Sequence, residues 1–156
     1  MNKTNVMRLL DAAKIPYRTA EYEFDESDLG GMHAAAAIGM PPEQIFKTLV
    51  ARGEKNGYLV FCIPVCCELD LKKAAKAAHD KKVELIHVKE LLPLTGYVRG
   101  GCSPIGMKKA FPTFLDETAQ LYDEIGVSAG CRSCQILLAP DALINYVNSS
   151  LCDLTE

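Results

Sequence analysis

An α+β fold with a mixed sheet is the class this sequence predicts, on three observations. Segments of helical periodicity and segments of strand-like alternation are interleaved, without the regular spacing that repeated βαβ units require. Asn56-Gly57, set between two apolar runs, is a strong hairpin signal and asks for antiparallel pairing. At 156 residues, 49% hydrophobic and 24% charged, the chain has enough apolar material for one core in a single domain spanning 1–156.

From the N-terminus, Thr4 is placed to cap a helix to about Lys14, with Val6, Leu9, Leu10 and Ala13 on one face and Pro16 as its stop. Tyr17 to Phe24 alternates weakly, putting Ala20, Tyr22 and Phe24 on one side of a strand that enters a loop from Asp25 to Gly31. Met32 to Ile38 is alanine-rich and helical, with Gly39 as its C-terminal cap, and Pro41-Pro42-Glu43 starts a short helical turn. Ile45 to Val50 predicts a strand paired with Tyr58 to Pro64 through the Asn56-Gly57 turn. Asp70 caps a helix through about His79, carrying Lys72, Lys73 and Lys76 outward. Val83 to Val88 predicts a strand, Lys89 to Leu92 a helical turn, and Gly96 to Gly101 a strand breaking into a glycine-rich loop. Pro112 to Asp116, Ile125 to Ser128 and Gln135 to Leu138 predict further strands, and Pro140 opens a last helix through Val147.

A net charge of -3 argues against a protein that coats nucleic acid, although Lys72, Lys73, Lys76, Lys81, Lys82, Lys108 and Lys109 offer a local cationic patch or, equally, a solvated surface. The first residues lack an apolar run of signal-peptide length, and nowhere do the roughly eighteen consecutive apolar residues of a membrane span occur. A cytoplasmic protein is expected, with no membrane or DNA partner. The seven cysteines are odd in number, so a disulfide framework is not expected. Cys131-Arg132-Ser133-Cys134 has the spacing of half a zinc site, but no second such pair or paired histidine motif accompanies it, so neither metal nor cofactor is predicted.

Lys47 is the polar oddity of the chain, a single cation inside the apolar run Ile45-Phe46-Lys47-Thr48-Leu49-Val50. Strand alternation puts it on one face with Ile45 and Leu49. It either guards an exposed sheet edge or meets a negative charge in a pocket; the run itself leaves both open. The stretch Gly100 to Lys109 fails the phosphate-loop pattern, because Met107 and Lys108 stand where Lys and Ser or Thr are needed. Its glycines instead allow close approach to main-chain N–H groups, or simply make a tight turn. Cys102 lies in no recognisable nucleophile motif, and buried cysteine is usually apolar filler.

Several blocks, in order, resemble the YbaK/EbsC family of aminoacyl-tRNA deacylases, related to the editing insert of prolyl-tRNA synthetases. They are Tyr22-Glu23, Glu43 to Leu49, Glu68 to Lys73, Thr95 to Gly106, Lys108-Lys109, Pro112-Thr113 and Val127 to Gly130, which together span nearly the whole chain. The match looks most like the stand-alone Cys-tRNA(Pro) deacylases.

The resemblance implies a curved, partly barrel-like mixed sheet flanked by helices. It implies removal of cysteine from mischarged tRNA(Pro), with prolyl-tRNA synthetase as a candidate partner. Alternatives are Ala-tRNA(Pro), Cys-tRNA(Cys) or another aminoacyl-tRNA as substrate, or a non-catalytic module that binds tRNA or protein. Lys47 matches the family's activity-linked lysine, and Tyr22, Thr48, Gly100, Gly101, Ser128 and Gln135 match its substrate pocket. The Gly100 and Gly101 amides are both expected to contact substrate. Some members carry an aspartate where Gln135 stands, so a role needing a carboxylate is not available here, whereas an amide still hydrogen-bonds.

Overall fold

The computed structural model describes residues 2–156. Among the described residues eight strands form two sheets. The larger contains β2 (Phe46–Gly53), β3 (Gly57–Pro64), β4 (Val83–Leu85), β5 (Thr113–Asp116) and β8 (Ser150–Cys152), in the order β4-β2-β3-β5-β8. The smaller contains β1 (Arg18–Glu21), β6 (Ile125–Ser128) and β7 (Cys134–Leu138), in the order β1-β7-β6. Pairing is antiparallel except for β5, which runs parallel to both β3 and β8. Among the described residues a parallel bridge, Ile45 to Gly126, links the sheets. In place of one partly barrel-like sheet there are thus two sheets, joined at this bridge and not closed.

Apolar side chains decide how the layers meet. Phe46, Val50, Val60 and Cys62 point from β2 and β3 toward Ile125, Val127, Ile136 and Leu138 of the smaller sheet, and helix α1 (Asn5–Ala12) closes this core with Val6, Met7 and Leu10. On the opposite face Ala51, Leu59, Phe61 and Ile63 pack on Ala74, Ala75 and Ala78, contributed by helix α3 (Leu71–Ala77) and its C-terminal cap. Helix α2 (Gly31–Ile38) sets Ala35 against Ile45, Val65 and Leu137, at the junction of the two sheets. Among the described residues no helix is long and apolar enough to cross a membrane.

Most predicted elements are present, and the differences have local causes. Thr4 caps α1 by accepting from the Met7 amide, but the helix ends at Ala12, before Pro16. Lys14 takes a left-handed φ of 59°, and the Ile15 and Lys14 amides return to the Leu10 and Asp11 carbonyls, which is a Schellman closure. The predicted turn at Lys89 to Leu92 is a longer helix, α4 (Val88–Thr95), that runs through Pro93. Its start is fixed one residue early because the Glu90 carboxylate accepts from the His87 amide at 2.8 Å. Gly96 to Gly101 is not a strand: Gly96 caps α4 at φ 85°, and Gly100 has φ 86° within a turn. Helix α5 (Pro140–Val147) lies where predicted, while β8 had no sequence signal beyond three residues.

Candidate active site

Along one edge β2 pairs with β3 over its whole length; along the other, β4 covers only Ala51 to Gly53. The Val65 amide donates to the Ile45 carbonyl on the β3 side, so alternation turns the main-chain groups of Phe46, Thr48 and Val50 toward the other edge. Between the Ile45–Gly126 bridge and β4 that edge opens on a cavity of about 470 Å³. Every residue from Ile45 to Val50 lines it, because the strand meets the cavity edge-on rather than by one face. Ile45 and Leu49 do flank Lys47 on the wall, as strand alternation implied, but Phe46, Thr48 and Val50 share it. Lys47 thus lies in a strand with one uncovered edge, and it lines the cavity along that stretch.

Tyr22, Thr48, Gly100, Ser128 and Gln135 line the same cavity. Tyr22 follows β1, its amide held by the Ser133 carbonyl at 2.9 Å, and its ring meets His33 edge to face at 6.4 Å. The Thr48 hydroxyl lies 3.8 Å from the Cys62 sulfur on the neighbouring strand. Gln135, in the central strand of the smaller sheet, pairs with Ala20 on one side and Ser128 on the other. It is only 5% exposed, and its Oε1 is a buried acceptor with no partner among the described residues.

Gly101 stays outside the cavity. Its amide donates to the Val98 carbonyl at 3.0 Å, closing a four-residue turn in which Gly100 takes the positive φ that favours glycine. A Cβ on Gly101 would stand 3.1 Å from the Cys131 carbonyl carbon, so this glycine lets two loops touch instead of offering an amide to a ligand. The expectation that both glycine amides face substrate is therefore corrected for Gly101. The Gly100 amide has no partner among the described residues. On the facing loop the Ser128 hydroxyl accepts from the Gly130 amide at 3.1 Å and donates to the Cys131 carbonyl at 3.4 Å, shaping the turn on which Gly101 rests.

The titratable groups on the lining are Tyr22, Lys47, Arg99 and Cys102; none is a carboxylate or an imidazole. Lys47 is half-buried, and its side chain makes no hydrogen bond or ion pair among the described residues. Burial pushes the Cys102 thiol up to about 12, against a smaller opposing effect of the Thr95 hydroxyl, which keeps it protonated and poorly nucleophilic. Burial also raises Tyr22, partly offset by hydrogen bonding from Gln135. The sequence did not single out Arg99, the Leu29 to Met32 stretch, or Leu85, Ile86, Val88 and Leu91, all of which line the cavity as well. Arg99 lies within the Thr95 to Gly106 segment, and the turn at Gly100 brings it, exposed, to the cavity lining.

Residues 32–146 match the model of the aminoacyl-tRNA editing domain family. The chain belongs to this family. It is 50% identical over 153 residues, 98% of this chain and 93% of the relative, to a protein of Enterococcus faecalis (strain ATCC 700802 / V583) named "Putative Cys-tRNA(Pro)/Cys-tRNA(Cys) deacylase EbsC". A Bacillus subtilis (strain 168) protein named YwhH, uncharacterized, is 27% identical over 124 residues, covering 80% of this chain and 78% of its own. Among solved structures, "a putative trans-editing enzyme for prolyl tRNA synthetase" superposes with a TM-score of 0.82 at 26% identity, covering 100% of this chain and 99% of that one. The protein APE2540 superposes at 0.88 with 21% identity, covering 98% and 100%, a likeness of fold. The cavity of this editing-domain protein carries two cations, Lys47 and Arg99, and no carboxylate on its lining.

Proposed function

We propose that this editing-domain protein is an aminoacyl-tRNA deacylase that releases cysteine from the terminal ribose of mischarged tRNA(Pro). One observation carries the reading: Lys47, a half-buried cation without a partner among the described residues, stands in a lining that has no carboxylate to neutralise it. A buried charge of this kind is stabilised when the ligand supplies the opposite one. The names of the Enterococcus faecalis relative and of the trans-editing structure support cysteine as the amino acid and the prolyl system as the context. Cys-tRNA(Cys), also in that relative's name, is the second substrate, with the tRNA body or a synthetase partner choosing between the two.

The chemistry follows from what the lining lacks. With no carboxylate or imidazole there, the substrate's own thiol is the nucleophile best supplied. Its sulfur bonds to the ester carbonyl carbon, the carbon–oxygen bond to ribose breaks, and the ribose oxygen leaves with the thiol proton; the cyclic thiolactone then opens with water. Holding sulfur and carbonyl together is an intramolecular advantage, and the protein's task is geometry and charge. Lys47, on the wall, offsets negative charge growing on the ester oxygens, and the Gly100 amide donates to the same region. Arg99, exposed at the mouth, meets the phosphate of the terminal nucleotide. Serine is close in shape to cysteine but a weaker nucleophile at neutral pH, so it is released slowly.

Deacylation of Cys-, Ala- and Ser-charged tRNA(Pro) and of Cys-tRNA(Cys) tests this. Cysteine esters are expected to be cleaved and serine spared. Release of serine at the cysteine rate would remove the thiol mechanism, and inertness toward every ester would leave only a binding module.

A further inference from the structure

Large apolar side chains are rarely exposed in a cluster without a ligand to cover them. Met32, Leu85 and Val88 are 51%, 48% and 62% exposed, and all three line the one cavity that holds Lys47. They come from separate elements: Met32 from α2, Leu85 from the end of β4 and Val88 from the start of α4. The cavity volume of about 470 Å³ falls in the range that takes a ligand of drug size, well beyond a cysteinyl group alone.

We infer that Met32, Leu85 and Val88 form a subsite for the terminal purine base, gripping its faces while the aminoacyl ester reaches Lys47. The inference rests on the deacylase reading, which puts the ribose between ester and base and so brings the base within one sugar of the lysine. It is continuous with that site through the shared lining. Charge agrees as well, because Arg99 on the same lining suits the nucleotide's 5′-phosphate. Aliphatic side chains on a purine face gain by burying apolar area without reading sequence, which suits a base common to every tRNA end.

The test is inhibition of Cys-tRNA(Pro) deacylation by adenosine 5′-monophosphate and by ribose 5-phosphate, in wild type, Val88→Asp and Met32→Asp. Both side chains are exposed, so neither substitution should prevent folding, and melting temperatures check this. Adenosine monophosphate is expected to inhibit wild type at about tenfold lower concentration than ribose 5-phosphate, and either substitution should erase about that factor. Equal inhibition by the two compounds would overturn the subsite and leave the deacylase reading standing. So would an unchanged preference in both variants, and a shift in sedimentation in place of a lost preference would assign the patch to a second copy or a protein partner. If no aminoacyl-tRNA is cleaved at all, the deacylase reading falls and the subsite with it.

Discussion

The Ile86 amide donates to the Val50 carbonyl at 3.1 Å, and this bond ends the coverage of β2 on the edge away from β3, three residues beyond Lys47. Toward the start of the strand, that edge stays uncovered until the bridge between Ile45 and Gly126. A gap in strand pairing would ordinarily invite another chain. Here α2, α4 and the Gly100 turn wall it in, so unpaired edge becomes binding cavity.

Lys47→Ala is expected to lower kcat for Cys-tRNA deacylation by about 10²–10³-fold, the usual loss when a charge-stabilising group is removed. Stability should change by no more than about 0.5 kcal/mol, because the ammonium has no partner among the described residues to lose. Kinetics together with denaturant unfolding separate the two effects. A large fall in stability would mean that the lysine supports the fold.

Gly101→Ala should act through the loops. The new methyl carbon would lie 3.1 Å and 3.2 Å from main-chain atoms of Cys131, which cannot rotate away as a side-chain end can. Overpacking of this kind costs about 1–3 kcal/mol. Urea unfolding should show that loss, accompanied by weaker activity as the Gly100 turn shifts.

Gln135→Leu divides stability from function in the opposite sense. The native Oε1 is buried without a partner, and replacing an unsatisfied polar group by an apolar one of similar shape is near neutral or stabilising. The melting temperature should hold or rise while deacylation falls, since the amide beside Tyr22 is gone. A variant that is fully active and more stable would remove Gln135 from the site.

Burial pushes the Cys62 thiol up to about 12 from 9.0. The folded state thus binds this proton more tightly than the unfolded chain does. Its contribution to stability is complete below about pH 9 and is lost as pH rises toward about 12. Between those limits stability should fall by up to about 1.4 kcal/mol per pH unit on account of this thiol. From pH 8 to about pH 11 the urea midpoint of wild type should fall relative to that of Cys62→Val. Parallel curves would show that Cys62 titrates normally.

Local signals were legible because their physics is local. The Asn56-Gly57 turn, with Gly57 at φ 74°, joins β2 and β3 as read, and Asp70 caps α3 by accepting from the Lys72 and Lys73 amides. Gly39 ends α2 in the left-handed conformation that its position suggested. The strand carrying Lys47, and Lys47 as its anomaly, needed only alternation and one misplaced charge. Which edge of that strand lies open could not be read, because it depends on where β4 stops pairing and on contact between Ile45 and a glycine far along the chain. The same holds for the two glycines. Gly100 and Gly101 are equivalent in sequence, yet one amide is free for the cavity and the other is spent on Val98, a division made by the turn and by the Cys131 loop packed against it. Sequence by itself determined the α+β class, most elements and the candidate lysine. Tertiary structure alone decided that an unpaired strand edge, Arg99 and the Gly100 turn enclose one cavity, because hydrogen-bond partners and close contacts are set across the fold and not along it.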